Sequence, residues 1–266
     1  MNPERVWFRG LPQGGARVER LRLAFPHLPE GLDELRILFA SDIHAGFTFP
    51  EEAQARLIGQ IAALAPDLIL WGGDFAESKE DARRLFEKIG GLKPRFGMAA
   101  VPGNNDRRAF QGAMDDLTGM AERAGVKLLI NDIWSPRCGG MTVCGLDEDY
   151  YGAPDASILD GVKRENALIV LLSHSPAHLE KLLSGRAPPD LILAGHTHGG
   201  QMRLLGRSPY DLGFDHVRRG QRFFAARGVR REGDAFLVVS GGLGSSRIPL
   251  RLNCPPEIQW IELALR

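Results

Sequence analysis

Leu191-Ile192-Leu193-Ala194-Gly195-His196-Thr197-His198-Gly199-Gly200-Gln201 runs from four apolar residues straight into two histidines set among glycines. The apolar part reads as a short buried strand, and the glycines mark the turn that ends it. Four more stretches repeat the arrangement. Arg36–Ala40 leads into Asp42-Ile43-His44, Leu68–Trp71 into Gly72-Gly73-Asp74, and Met98–Val101 into Gly103-Asn104-Asn105-Asp106. Leu168–Leu172 leads into Ser173-His174. In open α/β sheets, ligands bind beyond the carboxyl ends of the strands, so five polar clusters in that position can converge on one point.

Asp42, His44, Asp74, Asn104, His174, His196 and His198 are hard-to-borderline metal ligands with no sulfur among them. Seven donors exceed what one tetrahedral ion takes, and they suit two ions sharing a bridging carboxylate. On extended backbone, residues i and i+2 project to one side. Asp42 and His44 are therefore expected to grip one ion, and His196 and His198 to reach two neighbouring ions. Each motif alone is weak, since Asp-x-His, Gly-Gly-Asp and Gly-Asn-Asn-Asp also occur as ordinary turns. Their ordered placement, each after an apolar strand, carries the reading of a two-metal hydrolytic site. The other histidines lie elsewhere: His27 in an amino-terminal turn, His178 on a helix surface, His216 in an irregular loop.

Between these motifs the pattern alternates strand and helix. Pro50-Glu51-Glu52 opens a helix that runs to about Ala65, and Ser78 caps another with Ala82, Leu85, Phe86 and Ile89 on its apolar face. A helix is predicted over Arg108–Ala124, then a strand over Val126–Ile130. Gly139-Gly140 reads as a hairpin turn between Trp134–Cys138 and Met141–Cys144, and Ser175-Pro176 as the start of a helix. Arg222–Ala226, Ala235–Val239 and Ile258–Leu263 read as further strands, so more antiparallel material is expected late in the chain. The expected fold class is α/β, with two sheets in a single domain spanning residues 1–266.

Composition narrows the function. With 44% hydrophobic and 25% charged residues over 266 positions, the chain is an ordinary globular one and needs no metal merely to fold. Thirty-three basic side chains cancel 33 acidic ones, which argues against a nucleic-acid partner. Three cysteines are too few for a disulfide framework and fit a reducing compartment. The charged amino-terminal residues resemble no signal peptide, and the longest apolar run, Ala167–Leu172, falls far short of the roughly 20 residues of a membrane span. A cytoplasmic, soluble protein is expected.

The motifs resemble the calcineurin-like metallophosphoesterase superfamily from about Ile37 onward. Gly-His-Thr-His-Gly-Gly-Gln, Val239-Ser240-Gly241-Gly242-Leu243-Gly244 and Asn253-Cys254-Pro255-Pro256-Glu257-Ile258 are similar to a branch of bacterial phosphodiesterases. That branch includes UDP-2,3-diacylglucosamine pyrophosphatases. Phe75-Ala76-Glu77 after Asp74 sets the chain apart from phosphoprotein phosphatases. The resemblance implies two packed mixed β-sheets flanked by helices. It assigns Asp42, His44 and His198 to one metal, and Asn104, His174 and His196 to the other, with Asp74 bridging. It implies Mn, Fe or Zn as cofactors, attack on phosphorus by a metal-bridging hydroxide, and catalytic roles for Asp74, Asn105 and His196.

Two departures shape the expectations. Family members carry histidine at the position of Asn105, where it is thought to protonate the leaving group; an amide only donates a hydrogen bond. Asp106 and His216 are the neighbouring candidates for that proton. Many members of the branch also begin with a membrane anchor, which the sequence start here does not resemble. From Arg203 to Arg231 there are eight arginines against Asp211 and Asp215. This run, with Arg207, Arg218 and Arg219 at its heart, is expected to receive an anionic, partly apolar substrate, Asn105 also touching it. Phe47, Phe49, Tyr150 and Tyr151 are expected across the crevice. A lipid-linked phosphate substrate and peripheral contact with the inner membrane follow. The alternatives are a generalist hydrolase of small phosphodiesters and phosphomonoesters, and a non-catalytic interaction module of the same fold.

Overall fold

A computed structural model describes residues 8–9, 15–208, 226–246 and 248–266. Two mixed six-stranded sheets pack against each other, with helices outside. The first runs Arg17–Phe25, Glu257–Leu265, Arg36–Ala40, Leu68–Trp71, Met98–Ala100, Val126–Leu128; the last four are parallel. The second runs Gly228–Glu232, Ala235–Val239, Leu191–Ala194, Leu168–Ser173, Met141–Gly145, Asp132–Trp134, with its four central strands parallel.

The unbroken apolar runs follow from burial on both faces. Ile37, Phe39, Leu68 and Leu70 face Val170, Leu172, Leu191 and Leu193 between the sheets. The alternate residues Leu38, Ala40, Ile69 and Trp71 pack under the helices Glu51–Leu64, Lys79–Ile89 and Met114–Arg123. Because the parallel strands of each sheet all end at one edge of the sandwich, the five polar clusters come together there.

Several local expectations change. The predicted helix over Arg108–Ala124 is two, Asn104–Ala109 and Met114–Arg123, because Gln111 and Gly112 both take positive φ, at 50° and 79°. Ser175 accepts a hydrogen bond from Ala177 N at 3.1 Å, but the helix that follows is only Leu179–Leu182. The first hairpin strand lies at Asp132–Trp134 rather than Trp134–Cys138. Antiparallel pairing in the second sheet is confined to its two edge strands, since the central strands are joined by crossovers. The nine-residue strand Arg17–Phe25 escapes the sequence reading; its Arg-x-Glu-Arg-x-Arg polarity reflects an edge position in which residues 17–22 are all exposed or half-buried. The strand expected at Arg222–Ala226 lies, through residue 225, outside the described residues.

Candidate metal centre

Five of the seven expected ligands sit in left-handed backbone: Asp42 (φ 56°), His44 (48°), Asp74 (54°), His196 (68°) and His198 (51°). Such conformations cost about 1–3 kcal/mol each and persist where the surroundings over-determine them, a pattern concentrated at functional sites. Left-handed turns, not the expected extended backbone, therefore bring 42 beside 44 and 196 beside 198. The turns themselves aim these side chains, tied by Asp42 N and His44 N donating to the carbonyls of Gly73 and Asp74 at 2.9 and 3.0 Å.

The structure brings all seven side chains together in two adjoining groups. His44 Nε2 and His198 Nε2 face each other at 3.2 Å, with Asp42 Oδ1 3.5 Å from His198 Nε2. His174 Nε2 and His196 Nδ1 face each other at 3.1 Å, and both lie within 3.0 Å of Asn104 Oδ1. Asp74 Oδ2 stands between the groups, 3.4 Å from His44 Nε2 and 3.5 Å from His174 Nε2. Asp42, His44 and His198, and likewise Asp42, Asp74 and His174, offer ligand atoms all within 4.8 Å of one another.

This donor set fits divalent cations. Imidazole nitrogens facing each other at about 3 Å repel unless a proton or cation lies between them. Outer partners leave the inward nitrogens free: His44 Nδ1 meets Glu77 Oε1 at 2.5 Å, and His174 Nδ1 meets the Gly72 carbonyl at 2.8 Å. Burial opposes the charge on Asp74, yet His174, His44 and the Asn105 amide outweigh it and hold the carboxyl well below its usual range. Burial also opposes a proton on His174, but Asp74 and Asp42 raise its pKa to about 10. His198 is pushed well below the ordinary histidine value by burial and by the charges of His44 and Arg251, which keeps it neutral. The carboxylates thus demand positive charge in their midst, which a divalent ion held by these residues would supply.

Asn105 is turned toward Asp74 rather than outward. Its Nδ2 donates to Asp74 Oδ2 at 2.5 Å and its backbone N to Oδ1 at 2.8 Å. Asp106 is fully buried and accepts from Gly103 N, Asp74 N and Phe75 N at 2.8–2.9 Å. It fixes one ligand loop to the other, and its place as leaving-group acid is withdrawn. His216, Arg218 and Arg219 lie outside the described residues.

The arginine run divides. Arg207 is exposed, while Arg203 donates to the Gly199 carbonyl at 3.0 Å and braces the histidine loop. Arg227, Arg230 and Arg231 pair with Glu257, Glu232 and Asp234, so these three do not form a free cationic surface. Phe49 is buried and belongs to the core, whereas Phe47, Tyr150 and Tyr151 are exposed, and the Tyr150 ring lies 5.3 Å from that of His196. His27 sits beside Arg164 and Asp190, by the amino-terminal ends of the strands and away from the cluster.

Two contributors were missed in the sequence. Glu77, three residues after Asp74, has a spacing that reads only as a turn. Arg251, 1% exposed, donates to the carbonyls of Gly241 and Gly244 and lies 3.2 Å from His198 Nδ1; nothing in its local sequence signals a buried guanidinium.

Among the described residues no helix is long and apolar enough to cross a membrane. Comparison with known proteins places the chain. Residues 35–200 match the model of the calcineurin-like phosphoesterases. The chain is 26% identical over 97% of its length to an uncharacterized metallophosphoesterase of Helicobacter pylori, covering 67% of that protein. It is 28% identical over 93% of its length to a transmembrane protein with metallophosphoesterase domain from Danio rerio, covering 57% of it. The protein YpbG of Bacillus subtilis is 29% identical over 88% of this chain and 83% of its own. The chain thus spans about three-fifths to two-thirds of the first two relatives. One crystal structure shares the fold with a TM-score of 0.51 at 15% identity, over 83% of this chain and 98% of that one. With the matched region containing every cluster residue but none of the tail, this chain belongs to the calcineurin-like phosphoesterase family of metal-dependent phosphoester hydrolases.

Proposed function

We propose that the chain hydrolyses a phosphodiester or diphosphate at a dinuclear centre. Asp42, His44 and His198 hold one ion, Asn104, His174 and His196 the other, and Asp74 is shared. The observation that carries this reading is the position of Asp74 Oδ2 between His44 and His174. Two divalent ions, Mn, Fe or Zn by the donor types, supply Lewis acidity and a lowered water pKa when bound. The chain's own part is to fix that arrangement and to orient the phosphate. Asn105 holds the Asp74 carboxylate, and His196 flanks the rim under Tyr150. Metal analysis of the purified protein tests the reading, together with a screen of monoesters, diesters and nucleotide diphosphate-lipids. Fewer than two ions per chain in the active protein would refute it. The full set of converging ligands disfavours a non-catalytic module; a generalist small-molecule hydrolase is the second reading.

The specific substrate we favour is a nucleotide diphosphate-lipid of the UDP-2,3-diacylglucosamine type, met by a cytoplasmic enzyme at the inner membrane. Leu204 and Leu205, 69% and 92% exposed, stand beside the exposed Arg207, which suits an anionic, partly apolar ligand. The three free cysteines suit a reducing compartment. Arg207→Ala and Arg218→Ala/Arg219→Ala are expected to lower kcat/KM about tenfold on a nucleotide diphosphate-lipid, the scale of a lost charge-assisted contact. A small aryl phosphodiester should change by less than about twofold, and equal losses on both substrates would remove the recognition role.

Asn105 makes a second expectation. A phosphate leaves a diphosphate with a pKa of roughly 6–7, whereas an alkoxide's is about 15, so only the alkoxide badly needs a proton donor. Diphosphates and aryl esters should therefore be cleaved well ahead of alkyl esters. In Asn105→His the alkyl-to-aryl ratio of kcat should rise by about tenfold, the lower part of what general acids contribute. An unchanged ratio with metal retained would refute the idea.

A further inference from the structure

Two arginines follow Asn104-Asn105-Asp106 on the helix Asn104–Ala109, and they part ways. Arg107 turns to the loop after Met141–Gly145, where its Nε and Nη2 fork onto Asp147 at 2.9 and 2.6 Å; its side chain is 14% exposed. Arg108 turns to the His44 side of the centre. Its Nη2 donates to Glu77 Oε2 at 3.3 Å, and the other oxygen of that carboxylate, Oε1, meets His44 Nδ1 at 2.5 Å. Arg108 thus stands two hydrogen bonds from an expected metal ligand. It also follows Asn105 by three residues, which puts the two on one face of the helix. Asn105 donates to Asp74 and Arg108 to Glu77, so both reach the same strand-end loop.

The Arg108 guanidinium is 56% exposed, and beyond its bond to Glu77 it makes no hydrogen bond among the described residues. Neighbouring cations are committed. Arg203 braces the carbonyls of Gly199 and Gly206, Arg227 pairs with Glu257, and Arg251 is buried on the carbonyls of Gly241 and Gly244. An ion pair as open as Glu77–Arg108 holds weakly in water. A phosphate group competes well for it, because a planar guanidinium meets phosphate oxygens through two parallel N–H bonds. Charge decides which substrates would use it. A phosphodiester brings one anionic phosphate, which the metal cluster takes; a diphosphate brings a second, which calls for a cation beside the cluster.

We propose that Arg108 receives a second phosphate group of the substrate, so that the site prefers diphosphates to phosphodiesters carrying one phosphate. This deepens the hydrolase reading, and rests on it, by choosing between its two substrate classes. The second phosphate lies past Asn105 against the helix Asn104–Ala109 and takes Arg108 over from Glu77, while Glu77 keeps His44.

The test compares wild type with Arg108→Gln on two substrates that share an adenosine phosphoryl group: diadenosine diphosphate and the p-nitrophenyl ester of adenosine monophosphate. In the metal-loaded protein, Arg108→Gln should lose about tenfold in kcat/KM on the diphosphate, the scale of a lost charge-assisted contact. On the single-phosphate diester it should lose less than about twofold. Equal losses on both substrates, or no loss on the diphosphate, would overturn the subsite. Bound metal and Tm of Arg108→Gln should match wild type, since the guanidinium touches no ligand; a lowered metal content would make Arg108 a support of His44 instead. Calorimetry reads the same preference without turnover. Methylenediphosphonate should bind the metal-loaded variant about tenfold more weakly than wild type, and methylphosphonate equally well; unchanged diphosphonate binding would also overturn the subsite. Failure of the wild type to hydrolyse either substrate would count against the hydrolase reading, while Arg108-dependent binding of the diphosphonate would still support the subsite.

Discussion

Asp74→Ala should fold and yet lose both bound metal and activity. The Asp74 carboxylate stands between His44 and His174, and no neighbouring acid can take its place: Asp106 is committed to three backbone N–H groups, and Glu77 to His44 from behind. Removing an outer partner of a metal ligand already costs 10–100-fold in affinity or activity, so loss of the shared ligand should lower kcat/KM by at least about a thousandfold. The core is a separate matter. The apolar clusters between and outside the sheets do not include Asp74, and a chain this long buries enough surface without a metal. The far-ultraviolet circular dichroism of Asp74→Ala should match wild type, while elemental analysis finds the metal gone. A metal-replete, active Asp74→Ala would end the two-ion reading.

What could be read ahead of the structure followed from burial. Strands covered on both faces are unbroken apolar runs, and Arg36–Ala40, Leu68–Trp71, Leu168–Leu172 and Leu191–Ala194 stand out for that reason. The polar residues that end them were legible too, because a histidine or aspartate beside glycine at a strand end breaks the local pattern. Edge strands were harder. Arg17–Phe25 is largely uncovered over its first six residues, so its sequence carries charges at 17, 19, 20 and 22 and resembles a surface loop. Residues that act on ligands from behind left even less trace. Arg251 is buried because the Gly241 and Gly244 carbonyls and His198 surround it, a circumstance of tertiary packing that its neighbours Leu250 and Leu252 do not disclose. Extended backbone predicts the pairing of 42 with 44, whereas the chain delivers it through left-handed turns. Ordinary propensity disfavours those turns, which is why no propensity argument finds them.

Gly103→Ala tests how closely the two ligand loops are fitted. The backbone at Gly103 is extended, with φ −106° and ψ 174°, so alanine suffers no conformational strain there. A methyl group added at this position would, however, stand 2.1 Å from Asp74 Oδ1 and 2.5 Å from Asp74 N. Neither atom can retreat easily, since Oδ1 accepts from Asn105 N and the Asp74 N–H donates to Asp106. The substitution should therefore displace the shared carboxylate, with overpacking costing about 1–3 kcal/mol of stability. Because a misplacement of about 1 Å can cost a hundredfold in rate, kcat/KM should fall by about that factor or more. Gly195→Ala makes the companion case: its methyl would lie 2.5 Å from Asp42 Oδ2, so it strains a ligand of one ion and leaves the shared one alone. Metal titration should then show one weakened site in Gly195→Ala and two in Gly103→Ala. Gly161→Ala, where nothing lies within 4 Å of the added methyl, should behave as wild type. Two full-affinity ions in Gly103→Ala would mean that Asp74 is not the residue that couples the two halves of the centre.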